Sequence, residues 1–178
     1  MFLFIGGITE QVIKEIDALL EEKIPKFKNT FYPPATDSEF ESMENFVESK
    51  LPDEFKILYK WHNGQISSPY IPFHVETHEL LMPILEIMDW YEELSSQLED
   101  GDINDEVWKK SWVPFTDDGT GNSTCIDISK DNFGQIIHQD HEGDETRVVF
   151  ESLTEWLKDL LDKMKVFDYS TWTYLDRL

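Results

Sequence analysis

Strand-like runs occupy one window of this chain, and helical periodicity occupies most of the rest. "WVPFTD", "STCIDIS", "GQIIHQD" and "TRVVFES" follow one another between residues 112 and 152, separated by Gly, Asp and Asn turn residues. Strands this short and this close are joined by turns, which makes them a meander. Helices before the meander and one after it point to an α+β fold, a single antiparallel sheet flanked by helices. At 178 residues the chain suits one domain with a helical extension and is too short for two comfortable cores.

The helical segments carry their own boundaries. In "TEQVIKEIDALLEEKIP", Thr9 is the expected cap, Val12, Ile13, Ile16, Leu19 and Leu20 recur at helical spacing, and Pro25 is the stop. Pro33-Pro34 forces a loop. A second helix begins near Asp37 and puts Phe40, Met43, Phe46, Val47 and Leu51 on one face. Leu51-Pro52-Asp53 breaks it and opens a third, whose Phe55, Leu58 and Tyr59 point inward with His62 on the same side. Asn63-Gly64 tolerates the left-handed backbone of a helix end. After the extended "QISSPYIPFHV", a helix past Pro83 buries Ile84, Ile87, Met88, Tyr91 and Leu94. The last helix takes Ser152 as cap, Glu155 at the capping-box position, and Trp156, Leu157, Leu160, Leu161 and Met164 as its apolar side.

Fifteen basic residues against 37 acidic ones give a formal charge of −22. Such a surface repels nucleic acid phosphates and anionic lipid and steers towards a basic partner, although the same charge also serves solubility. Between residues 61 and 108 there is no lysine or arginine but eleven acids. Glu86, Asp89, Glu92 and Glu93 share the polar face of one helix, the usual pattern of a solvated face. The single cysteine, Cys125, cannot close an internal disulfide and reads as a small buried hydrophobe. The opening "MFLFIGG" is too short for a signal or a membrane span, and a cytoplasmic location is expected.

Little in the chain asks for chemistry. The loop in "WVPFTDDGTGNSTCIDIS" lacks the lysine and spacing of a phosphate cradle, and it lacks the alternating ligands and closing glutamate of a calcium loop. Asp118-Gly119 and Gly121-Asn122 are turn residues there. "HVETH" spaces His74 and His78 four apart, but Val75 stands where a zinc protease motif needs glutamate. His138 and His141 flank a hairpin tip. No nucleophile elbow, paired-cysteine motif or dinucleotide fingerprint is present, so neither an enzyme, a cofactor nor a bound metal is expected.

The order of short signals is more specific than any one of them. "FESMENFVESKLPDEFKILYKWHNG" resembles the opening signature of the SMI1/KNR4 family, also called the SUKH superfamily. There a glutamate seven residues before Leu-Pro leads to a helix ending in Asn-Gly, here Glu44, Leu51-Pro52 and Asn63-Gly64. "ELLMPILEIMDWYEEL" is similar to its Leu-rich run into a helix. Pro114-Phe115, Gly119, Asp127, Gly134-Gln135 and Ser152 fall in the expected places. The family often has Gly where Glu48 stands and Ser-Phe where Ser152-Leu153 stands. The resemblance divides the chain into an N-terminal helix and loop, 1–35, a family-like domain, 36–163, and a tail, 164–178.

The resemblance implies a protein-binding role without a catalytic centre. Bacterial members look like immunity proteins that neutralise a cognate toxin, and fungal members like regulators of cell-wall synthesis and signalling. The leading expectation is an immunity protein that covers the basic groove of a nuclease-type toxin. Its acidic candidates are Glu86, Asp89, Glu92, Glu93, Glu99, Asp100, Asp102, Asp105 and Glu106. Trp90, Tyr91 and Trp108 serve either as interface anchors or as core. Leu51, Pro52, Tyr59, Asn63, Gly64, Gly119, Asp127 and Gly134 read as structural markers. Asp127 alternates with Ile126 and Ile128 and is placed to bond a neighbouring turn. A non-toxin adaptor of the same fold is the alternative, and an enzyme or metal site built on His74 and His78 is a third.

Overall fold

The computed structural model describes residues 2–178; residue 1, where the run "MFLFIGG" starts, lies outside the described residues. Five α-helices run over Phe2–Lys23 (α1), Asp37–Phe46 (α2), Asp53–Trp61 (α3), Ile84–Asp100 (α4) and Leu153–Val166 (α5). Six strands follow as Leu80–Leu81 (β1), Trp112–Pro114 (β2), Thr116–Asp117 (β3), Ser123–Asp127 (β4), Ile136–Gln139 (β5) and Arg147–Phe150 (β6). Short 3-10 turns occupy Pro25–Thr30, Tyr169–Thr171 and Thr173–Arg177.

The meander forms one four-stranded antiparallel sheet, ordered β2-β4-β5-β6. Val113 faces Ile126 across β2 and β4, and Cys125 faces Ile137 across β4 and β5. "WVPFTD" divides at Phe115, so that its second part leaves the sheet and pairs with β1 in a two-stranded ladder. All five β4 residues are buried, which makes this strand the centre of the core. Burial pushes the Cys125 thiol far above its usual pKa, leaving it a packed, inert sulfur.

The helix ends show which sequence signals act. Thr36 opens α2 with a complete capping box: its Oγ1 accepts from Glu39 N–H, and its own N–H donates to Glu39 Oε2 at 2.7 Å. At α5, Ser152 Oγ accepts from Glu155 N–H, but the Glu155 carboxylate takes the N–H of Glu151 instead of that of Ser152. Pro52 stands at the cap of α3 and not inside its first turn. Thr9 is not a cap, because α1 begins at Phe2 and runs through Gly6-Gly7, residues that weaken a helix without forbidding it. The Thr9 hydroxyl is buried 2.7 Å from that of Thr154, which also donates to the buried Glu54 carboxylate. Phe46 departs from the expected apolar face, because α2 ends there and leaves the ring 37% exposed.

Glu44 joins α2 to α3. Its Oε1 accepts from the Leu51 N–H at 3.1 Å, and its two oxygens meet Lys56 and Lys50 at 2.5 and 2.6 Å. The chain reverses through Glu48, whose backbone is left-handed at φ 55°. α1 lies across α3 and α5. The segment after α5 packs against the 3-10 turn at Pro25–Thr30, with Tyr169 and Trp172 buried and Phe27 facing Trp172 at 5.8 Å.

Candidate functional site

Three of the marker residues converge on the start of α4. Tyr59, fully buried, donates its hydroxyl to the Met82 carbonyl at 2.8 Å. Asn63 Oδ1 accepts the otherwise orphaned N–H of Ile84 at 3.0 Å, acting as the cap that Pro83 cannot supply, and its amide nitrogen donates to Glu39. Gly64 has φ 73°, and a Cβ there would overlap the backbone of Met82 and Pro83, with the Met82 carbonyl oxygen 2.6 Å away. The end of α3 is therefore set at His62, and Asn63-Gly64 serves the helix that begins twenty residues later.

α4 buries Ile84, Ile87, Tyr91 and Leu94 and turns its acids outward. At about 3.6 residues per turn, Glu86, Asp89, Glu93 and Asp100 fall in one row and Leu85, Glu92 and Glu99 in the next. Leu85 is 68% exposed, an apolar side chain in an acidic surface. Trp90 is half-buried at the border, and its Nε1–H donates to Ser123 Oγ at 3.2 Å. Met82, Glu86, Asp89, Trp90, Asp117 and Gly119 line a cleft of about 470 Å³ between α4 and the glycine loop. The loop holds itself: Asp118 accepts from the Thr120 and Asn122 N–H groups and side chains, and Asp117 Oδ1 accepts from Gly119 N–H.

The cleft carries uncompensated negative charge. Burial first, then Asp117 and Asp89, raise the Glu86 pKa. Burial likewise raises that of Asp117, with Asp118 and Glu79 adding to it against the Gly119 N–H. Neither carboxylate has a cation within ion-pair distance among the described residues. At the far end of α4 the situation differs, since Glu99 meets Lys110 at 2.6 Å. Fourteen residues separate Glu86 from Asp100, about 21 Å along a helix. Asp102, Asp105 and Glu106 lie beyond α4, exposed in the following loop. The nine predicted acids thus form two groups, and Asp117 and Leu85 join the first.

Trp108 is fully buried and Tyr91 8% exposed, so both are core; the Tyr91 hydroxyl donates to the Lys110 carbonyl at 2.7 Å. Asp127 bonds the neighbouring turn through Ser129 N–H at 2.7 Å and also accepts from Trp112 Nε1–H at 3.1 Å. Gly134, with φ 94°, turns β4 into β5. "HVETH" is a turn: buried His74 Nδ1 accepts from Thr77 N–H, and His78 has φ 59°. No group of three or more His, Cys, Asp or Glu able to hold a metal occurs among the described residues. No helix among them is long and apolar enough to cross a membrane.

The model of the SMI1/KNR4 family (SUKH-1) matches residues 34–159. The chain belongs to this family. Comparison with curated proteins returned no match. In this SMI1/KNR4 chain, Tyr59, Asn63 and Gly64 fix the start of α4, and Leu51 and Asp127 hold turns. Residues 1–33 and 160–178 lie outside the matched range, and their aromatic side chains Phe27 and Trp172 meet on one flank of the core.

Proposed function

We propose that this SMI1/KNR4 protein is a cytoplasmic immunity protein that binds a cognate toxin and covers its basic, nuclease-type groove, acting by occupancy without transforming a substrate. The observation that carries this reading is the cleft end of α4, where Glu86, Asp89 and Asp117 stand without cations beside exposed Leu85 and half-buried Trp90. A nuclease must line its groove with Lys and Arg to hold phosphates. Those cations would replace like-charge repulsion within the cleft by attraction, and Leu85 and Trp90 would supply the desolvated contact that charge alone lacks. The net charge of −22 speeds encounter with such a partner.

Co-expression with a nuclease-type toxin encoded by a neighbouring gene tests the reading. Rescue of growth together with co-purification of the two proteins is the expected result. A toxic partner that neither binds nor is neutralised would rule that pairing out. Binding without neutralisation would favour an adaptor role.

A further inference from the structure

The four-stranded sheet has two edges with different surroundings. β2 lies at one edge and packs against α4. β6 lies at the other and pairs with β5 alone. Among the described residues, no backbone hydrogen bond outside that ladder involves Arg147–Phe150. A row of directly opposed residues, Pro114, Cys125, Ile137 and Val148, crosses the sheet on one face. Cys125 and Ile137 are buried, but Val148, last in the row, is 50% exposed. Phe133, 48% exposed, stands just before Gly134-Gln135, and the Gln135 amide donates to Glu151 at the end of β6.

An open edge of this kind is a template for another strand, and β6 carries few of the usual guards: a bulge beside Ile136 and Ile137, but no proline and no lysine. The charges at its two ends select the strand that fits. Arg147 opens β6, exposed, with its sequence neighbour Glu145 3.8 Å away, and Glu151 follows the last residue of the strand. An antiparallel strand that matches must bring an acid to Arg147 and a base to Glu151, with apolar residues between them. The sequence "RVVFE", run in reverse, meets that requirement. Two-fold pairing through β6 also keeps the acids of α4 in the two copies apart, at the far edges of the joined sheet. We infer that β6 joins a second copy of this chain by antiparallel edge pairing, in which Arg147 of each copy meets the Glu151 end of the other and Val148 is covered. The inference does not rest on the toxin-binding reading, and it concerns the opposite edge of the sheet.

Sedimentation equilibrium of the full chain, over about 5–500 µM and at low and high salt, tests it. A monomer–dimer equilibrium is expected, with a dissociation constant of about 10–100 µM in about 0.5 M NaCl, since a four-residue edge is a small interface. The constant should weaken at least about threefold in about 0.05 M NaCl, because two chains of charge −22 repel and salt screens that repulsion. Binding to a basic partner would respond to salt in the opposite direction. Val148→Lys changes a half-exposed side chain, should keep the native Tm, and should weaken the dimer at least about tenfold. Arg147→Glu should weaken it similarly, and the charge exchange Arg147→Glu with Glu151→Arg should restore it to within about threefold of the native value. A native chain that stays monomeric throughout, a dimer that persists in Val148→Lys, or a folded charge-exchange variant that fails to recover would each overturn the inference. So would a monomeric chain whose Val148→Lys variant loses a protein partner, because the edge would then receive that partner's strand.

Discussion

Replacing Glu44 by glutamine removes the charge from a carboxylate that three donors hold. The side chain is 7% exposed, and it contacts the Leu51 N–H, Lys50 and Lys56. Burial by itself raises its pKa, but the two ammoniums and the N–H together outweigh burial and take it from 4.5 down to about 2. A depression of that size corresponds to about 3 kcal/mol favouring the ionised, folded state. The Lys50 side chain is 83% exposed, however, and solvent screens its share. About 2 kcal/mol is therefore the expected cost of Glu44→Gln at pH 7. Because the folded pKa lies below the unfolded one, this contribution is complete above about pH 4.5 and fades as the pH falls towards 2. Urea unfolding of the two proteins at pH 7 and pH 3 measures it. The difference should be about 2 kcal/mol at pH 7, a loss of roughly 4–8 °C in Tm, and under about 1 kcal/mol at pH 3. A difference below about 0.5 kcal/mol at pH 7, or one unchanged at pH 3, would refute the reasoning.

Gly64→Ala drives a methyl into the Met82–Pro83 backbone and should cost at least about 3 kcal/mol, read as insoluble expression or a greatly lowered Tm. Glu48→Gly should stabilise the fold by about 0.5–1 kcal/mol in chemical denaturation, because glycine adopts a φ near 55° without steric cost. Glu86→Gln removes a charge whose folded pKa is raised, so it should raise stability by a few tenths of a kcal/mol at pH 7, with the gain vanishing below about pH 4 where glutamate is protonated anyway. The same variant should bind the basic partner more weakly, and calorimetry of binding and of unfolding checks both signs.

Local signals carried much of the fold. Periodicity placed α4 and α5 and their buried faces, and the turn residues between strands located the meander. "TDSE" at residues 36–39 also spells the capping box of α2, legible as Thr three residues ahead of Glu. What sequence could not supply were contacts between distant segments. Asn63 looks like the end of its own helix, and only the fold shows that it caps another. Asp117 joins Glu86 because β3 pairs with β1, which leads into α4. Trp108 sits in a non-periodic loop where nothing local reports complete burial, and Tyr169 and Trp172 lie in a segment with no pattern but reach the core. Leu85 was visible as the apolar residue out of phase with the buried stripe, the signal of an exposed side chain.

The proposed function depends on the charge that Glu86, Asp89 and Asp117 present at the cleft end of α4. Isothermal titration of the nuclease-type toxin proposed as its partner, with the native protein and with the combined Glu86→Lys, Asp89→Lys and Asp117→Lys variant, tests this most directly. The prediction is a loss of affinity of at least about a hundredfold, with a weaker salt dependence in the variant than in the native protein. Equal affinity for a variant that remains folded would mean that the partner docks elsewhere and that the acids of α4 serve only to keep the protein in solution.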